Sequence, residues 1–386
     1  MIQDAPGWPK PPDMNKIKRV LIVKLSSIGD VIHALPVSAA LKDAYPHIEI
    51  SWIVEEMAAP MVVGNPCLHE VITLPSGWRS KRFSSSALAP FAKLRRDLHA
   101  RRFDIAIDLQ GLSKSAIVAY ASGARYRFGY DWLRELSPLL ETRIARRPES
   151  LHVIEQFLDV ARFLGAPVTN VRFPFHISPD EQAQADILLQ QAGIDPMLPF
   201  IVVNPSAGGG GNKGWGAKNF AGALDRLALD PGIPVVLVGA PGDREEEQII
   251  LQNSKVPPVS LVGKTDLKQL AAVLLRSALH LCGDTGTAHI AAALGTPVVS
   301  LFGRSNPVRL APWGQEKWAI HHRDKCKESC LKFHQNAPIN SKQKCLAPPP
   351  ACLEAITEEE VVSTIRQALA ESRLFNEKFT HESPSR

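Results

Sequence analysis

Residues 279–303, LHLCGDTGTAHIAAALGTPVVSLFG, decide the reading of the fold. The run 279–282 is apolar without alternation, so it reads as a strand covered on both faces. Gly283 ends it, and Asp284, Thr285, Gly286 and Thr287 open a helical pattern that runs to Leu294. A second apolar run, TPVVSLFG, then returns. Strand, helix and strand in that order describe a parallel crossover unit.

The same alternation covers most of the chain. Earlier strands read as RVLIVKL, IEISWIV, EVITLP and FDIAIDL, with helices DVIHALPVSAALKDAY and SALAPFAKLRRDLHAR between them. After the polar stretch HISPDEQAQADILLQQAGIDPMLP the pattern restarts with FIVVNPS and IPVVLVG. Its helices include AKNFAGALDRLAL, REEEQIILQ and DLKQLAAVLL. The fold class is therefore α/β: two doubly wound, Rossmann-like parallel-sheet domains facing across a cleft. Expected boundaries are a disordered proline-rich tail at 1–17, a first domain at 18–178, a linker region at 179–198, a second domain at 199–355, and a helix with a mobile tail at 356–386. No internal repeat is present.

The chain has 386 residues, more than one core usually carries, and its 45% hydrophobic and 22% charged content suits a globular protein. No apolar run reaches the ~18 residues of a membrane span. Six cysteines and no secretory signal point to the cytoplasm. Net charge is +5, but residues 76–149 hold 15 Lys+Arg against 7 Asp+Glu, a local +8. That window, with Arg79, Lys81, Arg82, Arg95, Arg96, Arg101, Arg102, Arg143, Arg146 and Arg147, favours an anionic partner or is simply a solvated basic face. Nucleic acid is disfavoured, because no recognised binding motif accompanies the charge.

In open parallel sheets ligands bind beyond the carboxyl ends of the strands, so the strand-to-helix turns carry the chemistry. The turn Asp284–Thr287 offers the free N–H groups and dipole of a helix start, with His289 one turn on. It is an anion site or an ordinary capped helix with a core-facing histidine. The loop SAGGGGNKGW, from Ser206 to Trp215, matches neither common phosphate motif and is either a flexible surface loop or, with Lys213 and Trp215, an anion clamp. Asp243, after Gly239, either accepts from ribose hydroxyls or caps its helix. Together the three turns describe a nucleotide-diphosphate site.

In the first domain Asp30 follows Gly29 at the end of the first strand, placed as a general base for an acceptor hydroxyl or as a helix cap. Ser26 and Ser27 line that turn, and Gln110 and Lys114, on IDLQGLSKSAIVAY, suit a polyhydroxylated acidic ligand or are an ordinary glycine turn with a solvated lysine. No Asp-x-Asp pair occurs, so leaving-group charge falls to Lys213, the Thr285–Thr287 helix start and His289.

The stretches VLIVKLSSIGDVIHALP, DLQGLSKSA and GDTGTAHIAAALGTPVVSLFGRSNP resemble the ADP-heptose:lipopolysaccharide heptosyltransferases, glycosyltransferase family 9, over about residues 18–356. The form of the second stretch is similar to heptosyltransferase I. The resemblance implies a GT-B fold and inverting transfer of heptose from ADP-heptose to a Kdo residue on lipid A, with no required cofactor. It implies Asp30 as base, Lys213 on the donor phosphate and sugar, Asp243 on the adenosine ribose, and Ser206, Asp284, Thr285, Gly286 and His289 at the donor. Kdo carboxylates, lipid A phosphates and an anionic inner-leaflet surface would then be the partners of the basic window, on a peripheral cytoplasmic enzyme. The segment CKESCLKFHQNAPINSKQKC is more similar to heptosyltransferase II, which keeps another glycan acceptor open. Cys326, Cys330, Cys345 and Cys352, with His334, form a weak candidate for structural zinc or are free thiols. A non-enzymatic nucleotide-binding protein is disfavoured by Asp30, Lys213 and Asp284 standing together.

Overall fold

A computed structural model describes residues 9–75, 88–206, 214–229, 232–303, 305–325 and 351–372. The chain divides into two compact units, Met1–His176 and Ile177–Arg386.

The first unit carries strands β1 (Arg19–Val23), β2 (Glu49–Glu55), β3 (Glu70–Leu74), β4 (Ile105–Asp108), β5 (Tyr126–Gly129) and β6 (Thr142–Arg143). They form one sheet in the order β3-β2-β1-β4-β5-β6. Every pairing is parallel, and Val23 sits between Ile53 and Asp108. Helices α1 (Ile28–Ala44), α2 (Leu88–Ala100), α3 (Ser113–Ala121) and α4 (Val153–Phe163) connect and cover it. Leu21, Val23 and Ile53 pack with Leu98, Ala106 and Val118 as part of the core. The apolar strands seen in the sequence are thus buried as expected of a parallel sheet.

The second unit repeats this plan with β7 (Ile201–Asn204), β8 (Val235–Leu237), β9 (Val259–Ser260), β10 (Leu279–Gly283), β11 (Val298–Phe302) and β12 (Ala319–His321). Their order is β12-β11-β10-β7-β8-β9. Its helices are α5 (Pro179–Gln191), α6 (Ala217–Leu229), α7 (Arg244–Asn253), α8 (Leu267–Arg276), α9 (Gly286–Ala293), α10 (Pro307–Leu310), α11 (Ala351–Glu354) and α12 (Glu358–Glu371). Counted within its own unit, each sheet runs 3-2-1-4-5-6, the doubly wound order. Chain direction across the sheet reverses between β1 and β4, and again between β7 and β10. Those two switch points are where a ligand site is to be sought.

Two stretches outside the strand–helix alternation are packed. Met14 and Ile17 are buried, and the Met14 carbonyl accepts from His47 Nε2 (3.3 Å), so the tail expected to be disordered over 1–17 is ordered by its end. The polar connection at 179–198 holds α5, started by a Ser178–Glu181 capping box with Pro179 at its first position. That helix lies on α8, and Arg276 grips Asp186 through two bonds of 2.9 Å. Val361, Ile365 and Leu369 of α12 enter the second core.

Candidate active site

At the first switch point, Ser27 caps α1 and Asp30 occupies the third helical position. Asp30 Oδ2 accepts from Ser27 N (3.2 Å) and from Ser27 Oγ (3.0 Å). The carboxylate therefore completes a capping box, and it is half-buried at the carboxyl end of β1.

The turn after β4 is strapped to this one. Gln110 Oε1 accepts from Leu25 N (3.2 Å) and Ser26 N (3.1 Å), while Lys114 Nζ donates to Ser26 Oγ (3.3 Å) and Glu55 Oε1 (3.0 Å). Lys114 is 8% exposed, so its pairing with Glu55 is shielded from bulk water. Gly111 lies at φ +70°, and a Cβ there would stand 2.5 Å from the Trp132 carbonyl oxygen, which explains glycine at this position.

Asp108 holds the turn from below. Its Oδ1 accepts from Gln110 N (2.7 Å) and Gly111 N (3.0 Å), and its Oδ2 from Ser115 Oγ (2.7 Å). Burial pushes this carboxyl up, while the Ser115 hydroxyl and the two N–H groups oppose the shift. Glu141 is pushed up to about 10 by its own burial and then by the Asp108 charge. Three donors converge on Asp108, so Asp108 is the ionised member of the pair and Glu141 holds the proton.

The second switch point has a different chemistry. Thr285 caps α9, whose leading N–H groups point out of the sheet end. Beneath it, His280 Nδ1 meets the Val202 carbonyl (3.1 Å) and His280 Nε2 meets Thr287 Oγ1 (2.9 Å). Full burial lowers the imidazole to about 4, so it is neutral. The carbonyl can only accept, which puts the hydrogen on Nδ1 and makes Nε2 the acceptor of the Thr287 hydroxyl. Thr287 Oγ1 in turn accepts from Asn204 Nδ2 (3.3 Å) and from Thr285 Oγ1 (2.8 Å). Both threonine hydroxyl protons are thus directed inward and are not offered to a phosphate. The outward donors left at this turn are the leading backbone N–H groups of α9.

Asp284 is half-buried before Thr285, and His289 is buried on the first turn of α9. Ser206 folds back onto Asn204 Oδ1 through its N–H (3.1 Å) and hydroxyl (3.0 Å). Asp243 Oδ2 accepts from Ala240 N (2.7 Å), and a Cβ on Gly239 would lie 2.9 Å from that oxygen. Gly239 thus makes room for the carboxylate at the end of β8.

With two doubly wound sheets and these turns in place, the relationship to known proteins is clear. The sequence model of "Glycosyltransferase family 9 (heptosyltransferase)" matches residues 91–339. This chain belongs to glycosyltransferase family 9. It is 29% identical over 304 residues to the lipopolysaccharide core heptosyltransferase OpsX of Haemophilus influenzae, covering 77% of this chain and 82% of that protein. It is also 29% identical over 307 residues to lipopolysaccharide heptosyltransferase 1 of Salmonella typhimurium, covering 78% and 93%. The E. coli heptosyltransferase WaaC, solved with ADP, superposes with a TM-score of 0.66 at 26% identity, over 91% of this chain and 99% of that one. The fold is accordingly GT-B, and the chain is a glycosyltransferase.

The other residues singled out in the sequence of this family 9 enzyme separate into three groups. Trp215 is core: its Nε1 donates to the Ile356 carbonyl (2.8 Å) and its ring packs edge-on against Phe220, so it is no part of an anion clamp. Lys213, Arg79, Lys81, Arg82, Cys326, Cys330, His334 and Cys345 lie outside the described residues. Cys352 is buried, and among the described residues no group of three His, Cys, Asp or Glu side chains is arranged to hold a metal. No described helix is long and apolar enough to cross a membrane.

Asp108, Glu141, Asn204 and His280 carry much of the geometry and were not singled out in the sequence. Asp108 and Asn204 had a usable signal, as polar residues ending apolar strands at switch points. His280 is hidden inside an apolar strand, and Glu141 belongs to no motif.

Proposed function

We propose that this enzyme moves heptose from ADP-heptose to a Kdo residue of lipid A, inverting the anomeric centre. ADP-heptose is the co-substrate, and no further cofactor takes part. Asp30 accepts the proton of the attacking Kdo hydroxyl as the new bond to the anomeric carbon forms. ADP departs with the bonding electrons, its diphosphate charge met by the N-terminus of α9, His289 and Lys213. Asp243 accepts from the adenosine ribose, and Asp284, Gly286, Thr285 and Ser206 shape the donor pocket. Ser26, Ser27, Gln110 and Lys114 form the acceptor side, where Lys114 is the cation for a Kdo carboxylate.

The observation that supports this reading most is Asp30 at the carboxyl end of β1, held by Ser27 at a switch point. The solved ADP complex of WaaC supports the nucleotide assignment. The basic window and the lipid-anchored acceptor suit a peripheral enzyme at the cytoplasmic face of the inner membrane. The cysteine-rich segment supports a second reading, heptosyltransferase II or another family 9 enzyme with a different glycan acceptor.

A transfer assay separates the two. ADP-heptose is offered with Kdo-lipid A and, separately, with an acceptor already bearing heptose, each with and without a chelator. Product from Kdo-lipid A alone, unaffected by chelation, is expected. Product only from the heptosylated acceptor moves the assignment to heptosyltransferase II, and no product from either removes both heptosyltransferase assignments in favour of a different glycan acceptor.

A further inference from the structure

The outer face of α3 is apolar: Ile117 and Tyr120, three positions apart, are 41% and 54% exposed. The adjoining turn is fastened to the start of that helix. Arg134 N donates to the Gly111 carbonyl (2.9 Å) and Leu136 N to Ser113 Oγ (3.1 Å). The buried Ser137 hydroxyl donates to the Arg134 carbonyl (2.6 Å). These three bonds tie the turn inward while Leu136 and Leu139 are held outward at 64% and 79% exposure.

Basic groups border this patch. Arg127 lies over the Tyr120 ring (5.4 Å) and donates to the Leu140 carbonyl (3.0 Å), while the exposed Arg125 lies over Tyr126 (5.2 Å). Arg125, Arg127 and Leu139 line an open hollow of about 300 Å³, and Arg143 is exposed on β6 beside it. Of the nearby acids, Glu141 is buried and protonated, and Glu135 accepts from Ser113 N (3.0 Å).

We infer that this face, from Ile117 to Leu139 with Arg125, Arg127 and Arg143, docks on an anionic lipid bilayer. The leucines and Tyr120 enter the boundary between headgroups and acyl chains, and the arginines meet lipid phosphates. Arg125, Arg127 and Arg143 complement anionic headgroups, and the exposed Ile117, Tyr120, Leu136 and Leu139 favour a bilayer, with its acyl layer, over an acidic protein. The inference rests on the reading that the acceptor is lipid-anchored, and the patch begins at Gly111 and Ser113, beside Gln110 and Lys114.

The test is co-sedimentation of the full chain with vesicles of phosphatidylcholine plus phosphatidylglycerol, or of phosphatidylcholine alone, with no donor or acceptor present. Binding to the anionic vesicles only is expected. The double variant Leu136→Ser/Leu139→Ser should lower that partition at least tenfold, with an unchanged melting temperature. Arg125→Glu should lower it severalfold, most at low salt. Undiminished binding by the double variant overturns the inference, as does equal binding to neutral vesicles. Dimers in light scattering that the same double variant dissociates also overturn it, assigning the patch to a second copy. Heptosyl transfer to an acceptor fragment lacking acyl chains is measured alongside. Transfer with leucine-independent vesicle binding fails the docking inference alone, and leucine-dependent binding without transfer fails the functional reading alone.

Discussion

The two switch points share a topology and differ in their electrostatics. Beside Asp30 the turns are ionic: the Lys114–Glu55 pair is shielded, and Asp108 is a buried carboxylate holding the backbone of the next turn. At α9 the supporting layer of Thr285, Thr287, Asn204 and His280 is neutral. A turn receiving a diphosphate gains from neutral support, because a buried anion beneath it would repel the ligand. A turn that must take a proton and recognise an acidic sugar gains from charges fixed in advance. On the proposed reading, one sheet order hosts acceptor chemistry in one copy and nucleotide chemistry in the other.

Substitutions break this contrast in order of effect. Asp30→Asn keeps the capping geometry but removes the base, so kcat should fall about 10²–10⁴-fold. The dissociation constant for ADP should stay unchanged by calorimetry. Full turnover by this variant would leave Asp30 as a cap alone. Asp108→Ala strands two backbone N–H groups and leaves the Ser115 hydroxyl only the Leu112 carbonyl, for a stability loss of about 3 kcal/mol in urea unfolding. Its KM for acceptor should rise while ADP affinity is retained.

Asp243→Ala should weaken ADP binding about tenfold, the size of one charged hydrogen bond, with kcat at saturating donor nearly intact. Asp243→Asn, which keeps an oxygen for the Ala240 N–H, distinguishes lost ribose contact from a loosened turn before α7.

A further expected effect is in pH. His280 titrates at about 4 in the folded chain against an ordinary 6.5, so in that interval the unfolded chain binds a proton that the folded chain does not. Stability should therefore fall as pH drops from about 6.5 towards 4, and His280→Gln should flatten that part of the curve. An unaltered pH profile would place another group behind any acid loss.

Long strands and amphipathic helices were legible because apolar period and glycine breaks report burial directly. Strands β5, β6, β9 and β12 were not, since each has only two to four residues and several are polar. Their place is set by pairing with a neighbour rather than by a pattern of their own. At the site, Asp30, Asp243 and Asp284 stand out as acids at strand-to-helix turns. The inward hydroxyl protons of Thr285 and Thr287 could not be read, because they depend on a histidine tautomer set by the Val202 carbonyl. Trp215 misled for a related reason: its neighbours in sequence are glycines and a lysine, whereas its neighbours in space are Phe220 and Ile356.

The division of labour is tested most directly by hydrogen exchange of the full chain with and without ADP. Slowed exchange is expected at 239–244 and 284–289, with 26–31 and 110–115 unchanged. Protection at 26–31 or 110–115, with none at 284–289, would contradict it.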